Sequence, residues 1–218
     1  MRLIDAPHYV QGSNSDCQAA CAAMIVDYWA QRDSGCDATR LRQLLEEFSF
    51  GFRPESGNIP PAITGLVALT LVRSGLSVEF NSDNPDGGGV EGLYFLKAGW
   101  NFTESDVEKY AELATSLLTD ADQPGLAIHR RAIREAEVES AIATGKPVVA
   151  IVDLEVLKSW PRSANHAVVI TGIDDDFVAI HDPADEAPHR QYSRELFFRA
   201  HYKTETDCDS YVASMADL

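Results

Sequence analysis

Residues 17–30 constrain the fold more than any other part of this sequence. They contain neither glycine nor proline and are rich in alanine. Their apolar side chains recur every four positions, the spacing of residues that share one face of a helix. Because the rest of the segment is also small or apolar, the sequence predicts a helix that is buried over most of its surface. Ser15 or Asp16 is the natural residue to cap its start.

The other predicted elements divide the chain into a helical first half and a strand-rich second half. Helices are predicted for residues 39–48, 59–73, 105–118 and 134–143, and strands for residues 76–80, 148–154, 165–172 and 177–182. Ser105 should cap its helix together with Glu108. Residues 81–89 are rich in glycine, asparagine and aspartate and predict a surface loop. Helices followed by an antiparallel sheet indicate the α+β class, and we expect a single domain over residues 1–218.

The composition argues against several classes of protein. With 45% apolar residues, the 218-residue chain can bury one sizeable core. Its net charge of −16 repels nucleic acid and anionic membrane surfaces, so neither is an expected partner. No apolar run approaches the ~20 residues of a membrane span, and the first residues show no signal-peptide pattern. Four cysteines without a CxxC pair, and histidines without metal-ligand spacing, favour a reduced, cytoplasmic protein with no metal or other cofactor.

Cys17 lies at the predicted start of the buried helix. Backbone N–H groups are unpaired there, and the helix dipole favours negative charge. Such a position lowers the pKa of a thiol and raises the fraction of its reactive thiolate. By itself the position also suits a small core residue, the commoner role of a free cysteine in an alanine-rich helix. Cys21, one turn further on, is predicted to be such a core residue.

His166 and Asp182 lie at the open end of a predicted hairpin. If its strands pair across a turn at residues 174–176, residues whose numbers sum to ~348–349 lie opposite each other, and these two sum to 348. An aspartate beside a histidine fixes the imidazole tautomer and stabilises the imidazolium, as a general base requires. A surface histidine beside a surface aspartate would leave the same pattern. His181 should point to the opposite face of its strand, in a structural role.

Gln11 precedes Cys17 by six residues. A side-chain amide held beside a nucleophilic thiol can donate a hydrogen bond to an oxyanion that develops on a substrate. The backbone N–H of Cys17 itself would be the second donor. A glutamine in a loop before a helix is also often simply solvated. The combination of Gln11, Cys17, His166 and Asp182, in this order, carries more information than any of the four alone.

In this order the residues resemble a known family. The segment from Gln11 to Cys17, with Asp16 before the cysteine, resembles the Q-x5-C segment of the C39-like peptidases within the papain-like superfold. Residues 165–172 and 180–184 are similar to that family's histidine strand and Asp-Pro segment. The resemblance implies a papain-like fold, with an N-terminal helical lobe that carries the nucleophile helix and a C-terminal antiparallel sheet.

The resemblance also implies a role for each site residue. Cys17 would be the nucleophile, His166 the general base and acid, Asp182 the orienting residue and Gln11 the oxyanion donor. The implied activity is a cysteine-dependent hydrolase that cleaves a peptide or amide bond, in a peptide or small amide substrate, through a thioester intermediate. Gln18 stands where the family usually has glycine, which leaves the substrate class open.

Three alternatives to hydrolysis remain at the level of sequence. An acyl transferase or transpeptidase would use the same triad, with an amine in place of water. The layout of the middle of the chain is also similar to the guanylyl-cyclase-like family, which shares this fold and would imply a nucleotide-binding protein. That reading lacks a P-loop and paired metal-binding carboxylates in the sequence. The third alternative is a binding module that keeps the fold without catalysis. The oligomeric state is open.

Overall fold

The structure is a computed structural model that describes residues 1–12, 16–32, 35, 37–60, 62–87, 91, 93–119, 123–203 and 208–216. Within these residues, helices cover both faces of one sheet. The helices are α1 Cys17–Trp29, α2 Ala38–Phe48, α3 Thr64–Arg73, α4 Phe95–Trp100, α5 Glu104–Thr119, α6 Glu135–Ala143, α7 Leu154–Lys158 and α8 Arg194–Tyr202. The strands are β1 Arg2–Leu3, β2 Leu76–Asn81, β3 Leu126–His129, β4 Val148–Asp153, β5 Asn165–Ile173, β6 Phe177–His181, β7 Arg190–Ser193 and β8 Ser210–Met215.

The sheet has the strand order β3-β2-β8-β4-β5-β6-β7, and β1 pairs with the end of β5. All pairs are antiparallel except β2 and β3, which are parallel. The α+β prediction is confirmed. The chain does not separate fully into a helical half and a strand-rich half as predicted. Strand β2 from the first half pairs with β8 near the end of the chain and with β3, so both β2 and β3 belong to the sheet.

The fully buried strand β4 separates two hydrophobic clusters. Its residues Val149 and Ile151 belong to the cluster beneath α1, α2 and α3. Val148, Ala150 and Val152 belong to the cluster beneath α6 and α8. This follows from the two-residue period of a strand, which sends neighbouring side chains to opposite faces. A strand covered on both faces has no polar side to show, which is why its sequence is a continuous apolar run.

Helix α1 is confirmed as a buried helix that begins at Cys17. Its central residues from Ala19 to Ile25 are completely shielded from solvent. Its one charged residue, Asp27, is also buried, and its carboxylate accepts hydrogen bonds from Tyr9 Oη at 2.7 Å and from Arg40 Nη1 and Nη2 at 2.7 and 2.9 Å. Arg32 Nε lies 2.7 Å from the same carboxylate. These bonds connect the end of α1 to α2 and to the N-terminal segment.

The hairpin of β5 and β6 forms, but its predicted register is wrong. Val169 pairs with His181 and Ile170 with Ile180, and the register shifts again at Gly172 because of a bulge. The turn sets this register, since the Asp174 side chain accepts hydrogen bonds from the N–H groups of Asp176 and Phe177 at 3.1 and 2.8 Å. The three turn residues, 174–176, are those predicted, but the paired residues sum to 350 or 351 instead of ~348–349, so each residue of β5 lies opposite a later residue of β6 than expected.

Two predicted helix starts are also wrong. The helix predicted from residue 59 begins at Thr64, with Ile63 in an extended conformation. The prolines that follow residue 59 disfavour helical backbone in the residues before them, which accounts for the delay. Helix α5 is capped by Thr103 and Asp106, whose side chains accept hydrogen bonds from each other's backbone N–H at 3.1 and 3.0 Å. The predicted cap of Ser105 and Glu108 was shifted by two residues.

The predicted loop at residues 81–89 lies only partly outside regular structure. Asn81 is the last residue of β2, residues 83–87 form bends and turns, and residues 88–89 lie outside the described residues. Ser15, the alternative cap of α1, also lies outside them. In the described part of the chain, no helix has the length and hydropathy needed to cross a membrane.

Candidate active site

Helix α1 and strand β5 bring Cys17 and His166 together. The two elements share a hydrophobic cluster in which α1 residues pack against Ala167 and Val169 of β5. Cys17 is half-buried at the first turn of α1, and His166 is buried near the start of β5. Each side chain shifts the pKa of the other, through hydrogen bonding and charge. The sequence predicted both residues as site residues, and the fold places them in contact although 148 residues separate them along the chain.

The surroundings of Cys17 favour its thiolate. Burial alone would raise the pKa of the thiol, but the hydrogen bond and the positive charge of His166 act in the other direction. Hydrogen bonds from the backbone at Ala167 and Gln18 add to this effect. The result is a pKa of Cys17 below the usual value of a cysteine. The start of a helix contributes N–H groups in the way the sequence predicted.

The imidazole of His166 is held between Cys17 and Asp182. Its Nε2–H donates to Asp182 Oδ1 at 2.7 Å, which leaves Nδ1 as the nitrogen that faces the thiol. Burial opposes the charged ring, but the hydrogen bonds with Asp182 and Cys17 outweigh burial and raise the pKa of His166 to about 9. With the pKa of Cys17 lowered and that of His166 raised, the pair favours a thiolate beside an imidazolium.

Asp182 follows the last residue of β6 and is completely buried. Burial favours its neutral form, but the hydrogen bond and the charge of His166 outweigh burial and hold the pKa of the carboxyl well below its usual range. Ala184 N–H donates to Oδ1 at 2.8 Å, and Lys158 Nζ lies 2.5 Å from Oδ2. The predicted proximity of His166 and Asp182 is therefore confirmed, although the register from which it was inferred is wrong. Asp182 lies just beyond the end of β6, so the alternation of side chains between the two faces of a strand does not determine where its carboxylate points.

Sequence reasoning did not identify Lys158. It ends the five-residue helix α7, and residues 159–164 then return the chain to the start of β5. No motif marks this lysine, because its place beside Asp182 depends on how the α7 segment turns back over the end of the sheet. The contact between Lys158 and Asp182 can therefore be found only from the structure.

Gln11 lies next to the Asp-Pro segment of the site. Its backbone N–H donates to the carbonyl oxygen of Pro183 at 2.8 Å, which fixes the loop before α1 against the residue after Asp182. Its side chain is partly buried, and the Oε1 atom accepts no hydrogen bond from the described residues. The structure thus brings the backbone of Gln11 to the site.

Gln18, which replaces the glycine usual in the resembled family, is buried beside Cys17. Its Nε2 donates to Thr64 Oγ1 at 2.8 Å, a contact that connects the first turn of α1 to the first residue of α3. Cys21 is completely buried, which confirms its predicted place in the core, and burial raises the pKa of its thiol well above the usual value. The two helical cysteines therefore have opposite pKa shifts.

A cluster of histidines lies behind the Asp182 backbone. His181 is buried, and its ring lies 4.4 Å from that of His189 and 5.1 Å from that of His8, between centroids. His8 Nε2 lies 3.1 Å from the carbonyl oxygen of Asp182. Burial and the two neighbouring rings lower the pKa of His181 to about 3, so it stays neutral. His189 lies eight residues after His181, in the segment that connects β6 to its neighbouring strand β7.

A half-buried cysteine at the start of a central helix, packed on an antiparallel sheet beside a histidine and an aspartate, is the arrangement of the papain-like superfold. Residues 3–208 match the model of the Peptidase_C39 like family, and the chain belongs to this family. The resemblance seen in the sequence is thereby confirmed at the level of family and fold.

The fold is also similar to that of a solved structure from Bacillus anthracis that is described as a C39-like peptidase. The two share 15% sequence identity, the TM-score is 0.55, and the match covers 100% of both chains. At this identity the likeness shows a shared fold. The comparison with curated proteins gave no match.

Proposed function

We propose that this chain is a cysteine hydrolase that cleaves a peptide or amide bond, with Cys17 as nucleophile, His166 as general base and acid, and Asp182 as the orienting residue. The observation that carries the proposal is the series Cys17, His166 and Asp182, in which His166 donates to Asp182 at 2.7 Å and acts on the thiol of Cys17. In this series the pKa of the thiol is lowered and the pKa of the imidazole is raised to about 9. Membership of a peptidase-like family supports it.

The proposed reaction begins with attack of the Cys17 thiolate on the carbonyl carbon of the substrate. The carbon–sulfur bond forms while the carbonyl π electrons move onto oxygen, and backbone N–H of Cys17 with the Gln11 side-chain amide would donate to that oxyanion. His166 then gives its proton to the leaving amine as the carbon–nitrogen bond breaks. The product of this half-reaction is a thioester on Cys17.

Water completes the proposed cycle. Neutral His166 accepts a proton from a water molecule as its oxygen attacks the thioester carbon, and the collapse of the second tetrahedral intermediate releases the carboxylic acid and the Cys17 thiolate. Asp182 stays ionised throughout and stabilises the imidazolium that forms in each half. Lys158 and the backbone of Ala184 contact that carboxylate and support its ionised form.

A peptide and small-amide library incubated with the wild type and with Cys17→Ala tests the proposal. We expect new amino and carboxyl termini, detected by mass spectrometry, from the wild type alone. Cys17→Ala should lose the thioester route entirely, so product formation falls by at least about a thousandfold. Addition of an amine acceptor separates hydrolysis from acyl transfer, because only a transferase would form a new amide in preference to the acid. Equal cleavage by both proteins would contradict the proposal.

A further inference from the structure

Lys158 contacts the candidate triad from the side opposite to His166. Its ammonium nitrogen lies 2.5 Å from Asp182 Oδ2 and 3.2 Å from Asp185 Oδ2, and only 17% of its side chain is exposed. Arg190 Nη1 lies 3.2 Å from the same oxygen of Asp185. Burial tends to lower the pKa of Lys158, but the hydrogen bond and charge of Asp182 outweigh burial and raise it. The lysine is therefore a charged, largely desolvated group.

The two oxygens of Asp182 have different partners. Oδ1 accepts from His166 Nε2–H at 2.7 Å and from Ala184 N–H at 2.8 Å, whereas Oδ2 faces Lys158. The ion pair at Oδ2, together with the two hydrogen bonds at Oδ1, restricts the orientation of the carboxylate and therefore the direction in which the imidazole can donate. Without the ammonium group, the buried Oδ2 would lose its cationic partner, and an unpaired buried charge is costly.

We infer that Lys158 is a positioning residue of this active site, which acts through Asp182 to hold His166 in line with Cys17. This inference rests on the proposed function and extends it by a residue outside the triad. The ion pairs of Lys158 are with Asp182 and Asp185, and of these only Asp182 contacts His166. An effect on the thiol that depends on Asp182 would distinguish Lys158 from a lysine that only stabilises the fold.

The test is the rate at which iodoacetamide alkylates Cys17 at about pH 6, followed by mass spectrometry. We expect Lys158→Met to slow alkylation about tenfold, because a His166 that is no longer held in line stabilises the thiolate less. Lys158→Arg should remain within about threefold of the wild type, because it restores a cation at the same oxygen. Lys203→Met is the matched control: it removes an ion pair with Glu155 of the same helix α7 and should leave the rate unchanged.

A double-mutant cycle then separates positioning from general stability. If Lys158 acts through Asp182, the variant with both Lys158→Met and Asp182→Asn is no slower than Asp182→Asn alone. Independent, additive losses would overturn the inference, as would an unchanged rate in Lys158→Met or an equal loss in Lys203→Met. Should Lys158→Met fail to fold, Lys158→Gln replaces it. The neutral amide of glutamine keeps a hydrogen-bond donor but removes the charge. Cys17 of the Lys158→Gln variant must then be alkylated more slowly than Cys17 of the Lys158→Arg variant.

Failure of the inference and failure of the proposed function give different results. If wild-type Cys17 alkylates no faster than an ordinary thiol, the proposed function is contradicted. The role of Lys158 is then decided by the Nε2–H resonance of His166 in NMR spectra, which depends on the bond to Asp182 and not on catalysis. A shifted or lost resonance in Lys158→Met, with an unchanged one in Lys203→Met, would support the inference, and an unchanged resonance in both would overturn it.

Discussion

The protonation states of three residues are coupled in this structure. Asp182 stabilises the His166 imidazolium through the 2.7 Å hydrogen bond, and the imidazolium in turn stabilises the Cys17 thiolate. Cys21 lies on the same helix, but no histidine lowers the pKa of its thiol. Burial therefore raises the pKa of Cys21, in contrast to that of Cys17. The lowered pKa of Cys17 therefore requires His166 as well as its place at the start of the helix.

The role proposed for Gln11 gives a prediction at the scale of one residue. Gln11→Ala should lower kcat for a cleaved peptide about 10²–10³-fold, the usual effect of losing one oxyanion donor. Alkylation of Cys17 forms no oxyanion, so its rate should stay at the wild-type value. Steady-state kinetics and iodoacetamide labelling of the same preparation check both parts. An unchanged kcat would remove Gln11 from the mechanism, while a loss in both assays would indicate a displaced α1.

Single residues also show what the sequence could and could not predict. Cys17, His166 and Asp182 could be found because each follows a local signal: a helix start, a hairpin and an Asp-Pro sequence. The contact between His166 and Asp182 was predicted correctly from an incorrect register, since Asp182 lies past the end of β6. Lys158 could not be found, because nothing local links the end of α7 to the Asp-Pro segment.

At the scale of elements, the position of Cys17 depends on how α1 is anchored. Its far end is held by the buried Asp27, to which Arg40 of α2 donates two hydrogen bonds. Its first turn is held by the bond from Gln18 to Thr64 of α3. Both anchors are polar contacts within an apolar layer, which specify one arrangement of the helices more strongly than apolar packing alone.

The Asp27 anchor predicts a stability change. Arg40→Met should lower the free energy of unfolding by about 2 kcal/mol, less than the ~3–5 kcal/mol lost when a buried charge has no partner left, because Arg32 and Tyr9 still contact the carboxylate. Urea denaturation of the wild type and the variant measures the difference. Arg42→Met, an exposed arginine of the same helix, is the control and should change little. Equal stability of Arg40→Met and wild type would show that the ion pair does not anchor α1.

At the scale of the whole molecule, one sheet connects the two ends of the chain. Strand β8 lies between β2 and β4, so residues from the start, middle and end of the sequence share the surface on which α1 packs. The sequence predicted the α+β class and most helices, because amphipathic patterns and turn residues are local signals. The order of the strands could not be predicted, because β8 and the parallel pair of β2 and β3 depend on contacts between distant segments.

The central claim, that Cys17 and His166 form a thiolate–imidazolium pair, is tested most directly by titration of the thiolate. The ultraviolet absorbance of the thiolate is followed against pH in the wild type, in Cys17→Ala as the blank, and in His166→Ala. We predict that the Cys17 signal persists well below the free-thiol pKa of about 8.5 and that His166→Ala moves it to or above that value. As pH rises through about 9, the imidazolium loses its proton and hydrolytic activity should fall, while the thiolate remains. A Cys17 signal that appears only near or above the free-thiol pKa in the wild type, unchanged in His166→Ala, would contradict the account.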